Sequence, residues 1–242
     1  MISQQPHDGS PESDHDDSAA LAAVARSLRF RLEVNRSLGW TMPIAPPVGD
    51  ERGRRQALLD EIDLEVKVCE ACALHAGRTN TVFGVGDPCA RLLFVGEGPG
   101  FDEDRQGEPF VGKAGQLLDR MITAMGLQRS EVYIANIVKC RPPKNRTPDP
   151  RECLSCLPFL RQQIEIIQPE VLCTLGTTPL KVLLESADGV TRARGRVMEY
   201  RGIPAVPTFH PAYLLRNPAD KGKAWDDLKT VLSLLQLPVP KG

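Results

Sequence analysis

No run of apolar residues in this chain approaches the roughly 20 that a membrane-spanning helix needs. The start, Met1-Ile2-Ser3-Gln4-Gln5-Pro6-His7-Asp8, also lacks the basic flank and apolar segment of a secretion signal. Both absences point to a soluble, cytoplasmic protein with no membrane partner. Histidine is scarce, with four in all, and His7 and His15 lie in a polar N-terminal stretch. That leaves His75 and His210 for any imidazole chemistry. Net charge is nearly absent at −1, yet Asp8, Glu12, Asp14, Asp16 and Asp17 fall within the first twenty residues, which hold no Lys or Arg. Setting those five acids aside leaves +4 over residues 21–242. A mildly basic body permits a nucleic-acid partner without demanding one.

An apolar fraction of 41% over 242 residues is enough for one sizeable core plus an appendage. Residues 1–17 hold too little apolar surface to offset the entropy of ordering and are expected to be disordered. Leu21, Val24, Leu28 and Leu32 then fall on a helical stripe that ends before Gly39 and the linker Met42-Pro43-Ile44-Ala45-Pro46-Pro47-Val48-Gly49. Residues 1–50 therefore read as an extension of acidic tail, one helix and a Pro-rich linker, and residues 18–50 offer a place for a protein partner to dock. Residues 51–242 read as the main domain.

Within that domain the pattern predicts a helix over 51–68, a buried strand at Leu92–Val95 and a helix over Lys113–Met125 closed by Gly126. Strands follow at Val132–Val138 and Val171–Leu175, separated by a helix that Asp149 and Pro150 open. A short helix after Gly176 and strands at Val197–Tyr200 and Ile203–Thr208 lead to a last helix carrying Trp225, Leu228, Val231, Leu232 and Leu235. Strands alternating with helices imply an α/β fold, three layers α/β/α around a mostly parallel central sheet, with the loops after Val95, Val138 and Thr208 meeting at one edge.

The sharpest local feature is Gly96-Glu97-Gly98-Pro99-Gly100 at the end of a strand, where open α/β sheets place their chemistry. It is not a dinucleotide fingerprint, because Phe101 stands where a third glycine is needed and Pro99 removes a donor. Seven cysteines in a cytoplasmic chain argue for a metal or cluster rather than disulfides. Spacing alone pairs Cys69-x-x-Cys72 with Cys153-x-x-Cys156 as a zinc site, but Cys140, in a basic loop, is an equal fourth ligand if the group is an iron–sulfur cluster. Cys89 and Cys173 read as packing residues.

Four ordered motifs carry a resemblance: Gly96-Glu97-Gly98-Pro99-Gly100, Pro109-Phe110-Val111-Gly112-Lys113-Ala114-Gly115, Asn136-Ile137-Val138-Lys139-Cys140-Arg141-Pro142 and His210-Pro211-Ala212-Tyr213-Leu214-Leu215-Arg216. Together they resemble the family 4 uracil-DNA glycosylases, the iron–sulfur branch of that superfamily, over about Leu64 to Leu235. The resemblance implies a monomeric enzyme that flips uracil out of single- or double-stranded DNA and hydrolyses its N-glycosidic bond. It implies a [4Fe–4S] cluster on Cys69, Cys72, Cys140 and Cys156, with Cys153 left out.

On this reading Gly98 belongs to the substrate pocket, Phe110 stacks on the extruded base, and Asn136 reads its N3–H and O4. His210 donates to O2 as charge develops there. Glu97 and Glu103 are the acids beside the oxocarbenium-like sugar and its water. Arg216, Lys139, Arg141, Lys144 and Arg146 would hold phosphates, while Leu214 and Leu215 would fill the gap left by the base. A covalently trapping relative uses a histidine in a short basic insertion. Here that region is Val190-Thr191-Arg192-Ala193-Arg194-Gly195-Arg196-Val197, with none, so turnover is expected. The rival from another class is a non-enzymatic nucleic-acid-binding protein with a Cys₄ metal site, which leaves Glu97, Asn136 and His210 without a task.

Overall fold

Six strands form one sheet, in the order Val85–Gly86, Tyr133–Asn136, Leu92–Gly96, Val171–Leu175, Ile203–Thr208 and Met198–Tyr200, whose four central members run parallel with an antiparallel strand at each edge. The computed structural model describes residues 50–240, all within a unit spanning Pro47–Gly242. The acidic tail, the expected helix over 18–38 and the linker lie outside the described residues. In chain order the elements are α1 Glu51–Lys67, β1 Val85–Gly86, β2 Leu92–Gly96, α2 Phe101–Gln106, α3 Lys113–Ala124, β3 Tyr133–Asn136 and α4 Pro150–Ile167. They continue with β4 Val171–Leu175, α5 Thr177–Leu183, α6 Val190–Ala193, β5 Met198–Tyr200, β6 Ile203–Thr208, α7 Pro211–Arg216 and α8 Lys221–Leu234.

The three layers follow from period-two alternation in strands that are buried on both faces. In β2, Leu93 and Val95 face a core built with Leu59, Ile62 and Val66 of α1 and Leu157, Leu160 and Ile164 of α4. Leu92 and Phe94 face the opposite core, with Leu118 and Ile122 of α3 and Leu228, Val231 and Leu232 of α8. Along α3, Leu117, Leu118, Met121 and Ile122 are buried, whereas Trp225, expected inside the last helix's core face, is only partly covered. Helix α4 starts where Asp149 and Pro150 place it: the Asp149 side chain accepts from Arg151 N at 3.0 Å, and Glu152 reaches back to Asp149 N at 2.7 Å. Such a cap is worth about 1 kcal/mol.

From the central strand β2 the chain winds first to β3 on one side and then to β4 on the other. The C-terminal ends of these strands, with Gly96 beside Asn136 and Leu175 beside Thr208, are where such a sheet opens a crevice. No helix among the described residues is long and apolar enough to cross a membrane.

Candidate active site

The crevice is a cleft of about 650 Å³, whose wall includes Glu97, Phe110, Asn136, Gly176, His210 and Arg216. Its glycines are there because other groups come too close for a side chain. A Cβ on Gly96 would lie 2.3 Å from Asn136 Oδ1 and 2.7 Å from the Phe110 ring, and one on Gly98 would lie 2.6 Å from Val138 Cγ2. Gly96 is thus the floor on which the Asn136 and Phe110 side chains meet.

Phe110 takes a left-handed backbone, φ 55°, unusual for an aromatic residue and a form of strain that persists only when its surroundings impose it. Two features impose it. A Cβ on Gly115 would overlap the Phe110 carbonyl oxygen at 1.8 Å, so glycine there makes the turn possible. The Glu103 carboxylate accepts from the backbone N–H of Gly100, Val111 and Gly112 at 3.1, 3.0 and 2.9 Å, tying the start of α2 to the segment after Phe110. Glu103 lies in the wall of the cleft, but its carboxylate serves as a latch between two loops. Of the two acids expected beside the sugar, only Glu97 is free of backbone partners. It accepts a hydrogen bond from the Thr178 hydroxyl on α5, a contact across 81 positions that no local pattern announces.

Phe110 and His210 stack, ring centroids 5.6 Å apart and 29° between planes. His210 caps α7, its Nδ1 accepting from Ala212 N at 3.1 Å, so the neutral ring carries its proton on Nε2. Burial, assisted by the positive charge of Arg216, pulls its pKa down to about 4. Asn136 is 2% exposed, and its Oδ1 meets no hydrogen-bond partner among the described residues. A buried, unpaired acceptor on a cleft wall is costly unless a ligand supplies the donor. A stacking ring, an amide and a fixed neutral imidazole thus surround a space suited to a flat heterocycle.

A family model of the uracil DNA glycosylase superfamily matches residues 83–229. The chain belongs to that superfamily. It is 48% identical over 165 residues to a type-4 uracil-DNA glycosylase of Thermotoga maritima, covering 67% of this chain and 86% of that one. It is 43% identical over 189 residues to a type-4 enzyme of Sulfurisphaera tokodaii, covering 74% and 86% of the two chains. With a type-4 enzyme of Archaeoglobus fulgidus it shares 40% over 181 residues, 72% and 91% of the two.

Around this superfamily cleft, two expected DNA contacts are corrected. Lys139 is 1% exposed, its Nζ donating to the Asn136 carbonyl at 3.0 Å and to Gln163 Oε1 at 2.6 Å. Burial lowers its pKa to about 8. It points into the core and holds the backbone of Asn136 from behind. Leu214 is likewise buried in the α3–α8 core, whereas its neighbour Leu215 is exposed. Arg216 and Arg146 line the cleft, the latter also paired in two-pronged fashion with Glu152 at 2.7 and 2.8 Å. Lys144 is exposed, and Arg141 reaches Asn145 Oδ1 at 2.7 Å.

In the Arg-rich stretch, Arg194 turns inward. It pairs with buried Asp227 at 2.6 Å, which in turn accepts from the Thr208 hydroxyl at 2.7 Å, two residues before His210. Arg192 and Arg196 stay at the surface beside Asp188.

The cysteines fall into two groups. Cys69, Cys72, Cys140 and Cys156 line one small cavity of about 10 Å³, and Cys153 is not among its lining residues. The zinc pairing suggested by spacing is not assembled around this cavity, because Cys153, one turn of α4 before Cys156, does not line it. Among the described residues no group of three or more His, Cys, Asp or Glu is placed to hold a metal ion. Cys173 is buried as expected, but Cys89 is only half-buried. Arg78 Nη1 lies 3.4 Å from Cys140 Sγ and the Lys139 N–H donates to Cys156 Sγ at 3.2 Å. Burial raises the Cys140 thiol and pushes Cys156 up to about 11, so the cavity favours neutral thiols until a positive group compensates.

Proposed function

We propose that this protein excises uracil from DNA, hydrolysing the N-glycosidic bond and leaving an abasic site. The observation that carries the reading is the unpartnered Oδ1 of Asn136, buried beside the Phe110–His210 stack. A flipped uracil laid on Phe110 offers N3–H to that oxygen and O4 to the Asn136 amide. Cytosine inverts the pattern and would leave buried groups unpaired, a penalty of several kcal/mol. As the C1′–N1 bond breaks, its electron pair passes to the base, and the charge reaching O2 meets the Nε2–H of His210. The cationic sugar faces the carboxylate of Glu97, held in place by Thr178. Water then adds to C1′ and gives up a proton, while the released base gains one.

Incubation with a uracil-containing oligonucleotide should yield alkali-labile sites, free uracil and many turnovers per enzyme. No alkali-labile site would favour the non-catalytic binding reading. A heat- and detergent-stable protein–DNA band with one product per enzyme would favour covalent trapping.

The cavity lined by Cys69, Cys72, Cys140 and Cys156 fits a [4Fe–4S] cluster: four thiols surround one space and two N–H groups already point at sulfur. Bound there, the cluster would supply a covalent tie between the end of α1, the loop after β3 and α4. The protein should be brown as purified. Cys140→Ser should lower iron content sharply and Cys153→Ser should leave it unchanged; the reverse pattern in iron analysis would overturn the ligand set. Residues 51–242 form the glycosylase domain on this proposal and residues 1–50 an accessory extension, although Asp50, which accepts from Gly53 N at 2.9 Å as the cap of α1, belongs with the domain.

A further inference from the structure

At the mouth of the cleft, away from the Phe110 floor, stands a second aromatic ring. Phe101, the first residue of α2, lines the cleft yet is 49% exposed. A single exposed apolar side chain needs no explanation by itself. This one is flanked by cations from two elements: the guanidinium of Arg141 lies 5.0 Å from the ring centroid and that of Arg105 lies 5.6 Å away. Arg141 is itself held by Asn145, in a tight turn where Lys144 and Asn145 both adopt left-handed backbone. The basic loop after β3 thus brings an oriented positive charge to an otherwise solvent-facing ring.

An exposed ring with guanidiniums at its side, on the rim of a cleft that admits a nucleic-acid strand, has the makeup of a base-stacking platform in single-strand binders. We infer that Phe101 stacks on the nucleobase adjacent to the flipped uracil in the same strand, while Arg105 and Arg141 meet the neighbouring phosphates. Extrusion of the uracil removes one stacking partner from that base and bares its face. The Phe101 ring covers it, and a guanidinium displaced from the ring finds a phosphate within reach. Phe110 and Phe101 then divide the work, the inner ring taking the excised base and the outer ring its neighbour. The latch formed by Glu103, two residues after Phe101, fixes the segments that bear the two rings relative to each other.

The inference rests on the excision reading, and the test separates the two. Binding is measured by fluorescence anisotropy on single-stranded oligonucleotides carrying one 2′-fluoro-2′-deoxyuridine, whose electron-withdrawing fluorine resists glycosidic cleavage. One oligonucleotide has thymidines on both sides of that nucleotide and the other has tetrahydrofuran abasic residues there. The parent protein should bind the thymidine-flanked strand about tenfold more tightly, in line with stacking measured elsewhere. Phe101→Ala should lose that preference, falling to the parent's affinity for the abasic-flanked strand, and Phe101→Trp should restore it. An equal loss on both strands, no loss, or failure of the Trp variant to restore the preference would overturn the inference. Failure of the parent to release uracil from a cleavable oligonucleotide would instead defeat the excision reading, leaving the stacking contrast still readable.

Discussion

Asn136→Asp is expected to lower uracil excision by about three orders of magnitude, roughly 4 kcal/mol of barrier, with DNA affinity within a few-fold of the parent. The side chain is almost wholly buried and its Oδ1 has no partner among the described residues, and on the proposed reading both of its polar ends serve the base. Aspartate keeps the acceptor for N3–H but replaces the amide donor with a second acceptor facing O4. The carboxylate cannot readily escape by protonation, because the ammonium of Lys139 is bonded to the carbonyl of the same residue and favours a negative charge nearby. The cations proposed to hold phosphates, at Arg146, Arg216 and in the loop after β3, are untouched, and phosphate contacts position the protein on DNA whichever base is presented. Single-turnover excision and anisotropy on the same uracil-containing duplex check the two halves. Excision equal to that of the parent would remove Asn136 from the site, and a parallel loss of binding would mean that the substitution had damaged the cleft rather than the recognition.

The strand ends were legible in the sequence because their signals are local. An apolar run stopping at Gly96, an Asp-Pro helix start at Asp149 and a His-Pro after a strand each carry their own physics, and the sheet brings them to one edge. What escaped depends on partners distant in the chain. Lys139 reads as one more cation in a basic loop until Gln163 of α4 offers it an acceptor, which only the packed fold supplies. Leu214 and Leu215 differ by one step of about 100° around α7, and only the cap made by His210 fixes which of them faces the core. Glu103 looks like Glu97 on paper, yet the unusual turn at Phe110 presents the N–H groups of Val111 and Gly112 to the former, in addition to that of Gly100, and none to the latter. Thr178 belongs to a segment that reads simply as a helix start. The cysteines show the same limit. Spacing favours Cys153 with Cys156, but on an α-helix residues three apart need not share a cavity wall, and the loop after β3 delivers Cys140 instead.

His210→Asn should lower kcat by about two to three orders of magnitude, the loss typical of one oxyanion-stabilising donor, with a much smaller change in KM. Asparagine is chosen because its side-chain oxygen can replace Nδ1 as the cap of α7, where Asn is among the preferred residues, while the Nε2–H aimed into the cleft disappears. The form of His210 that works is the neutral one. Protonating the ring would place an N–H on Nδ1 against the N–H of Ala212, two donors face to face, in a buried site beside the charge of Arg216. Burial above all, and then the charge of Arg216, depress its pKa to about 4, below the 6.5 of an ordinary histidine.

The competent neutral ring persists as pH falls through 6.5 and is lost only near 4, so kcat for the parent should show no His210-linked acid limb between pH 5 and 8. Stability moves in the same direction: between about 6.5 and 4 the unfolded chain binds a proton at this position that the folded chain refuses, so folding free energy is lost as pH drops through that window. Denaturant midpoints measured from pH 7 to pH 4 should therefore fall less steeply for His210→Asn than for the parent. An acid limb in kcat near 6.5 that vanishes in the variant would show that the imidazolium is the working form and would reverse the assignment of the donor.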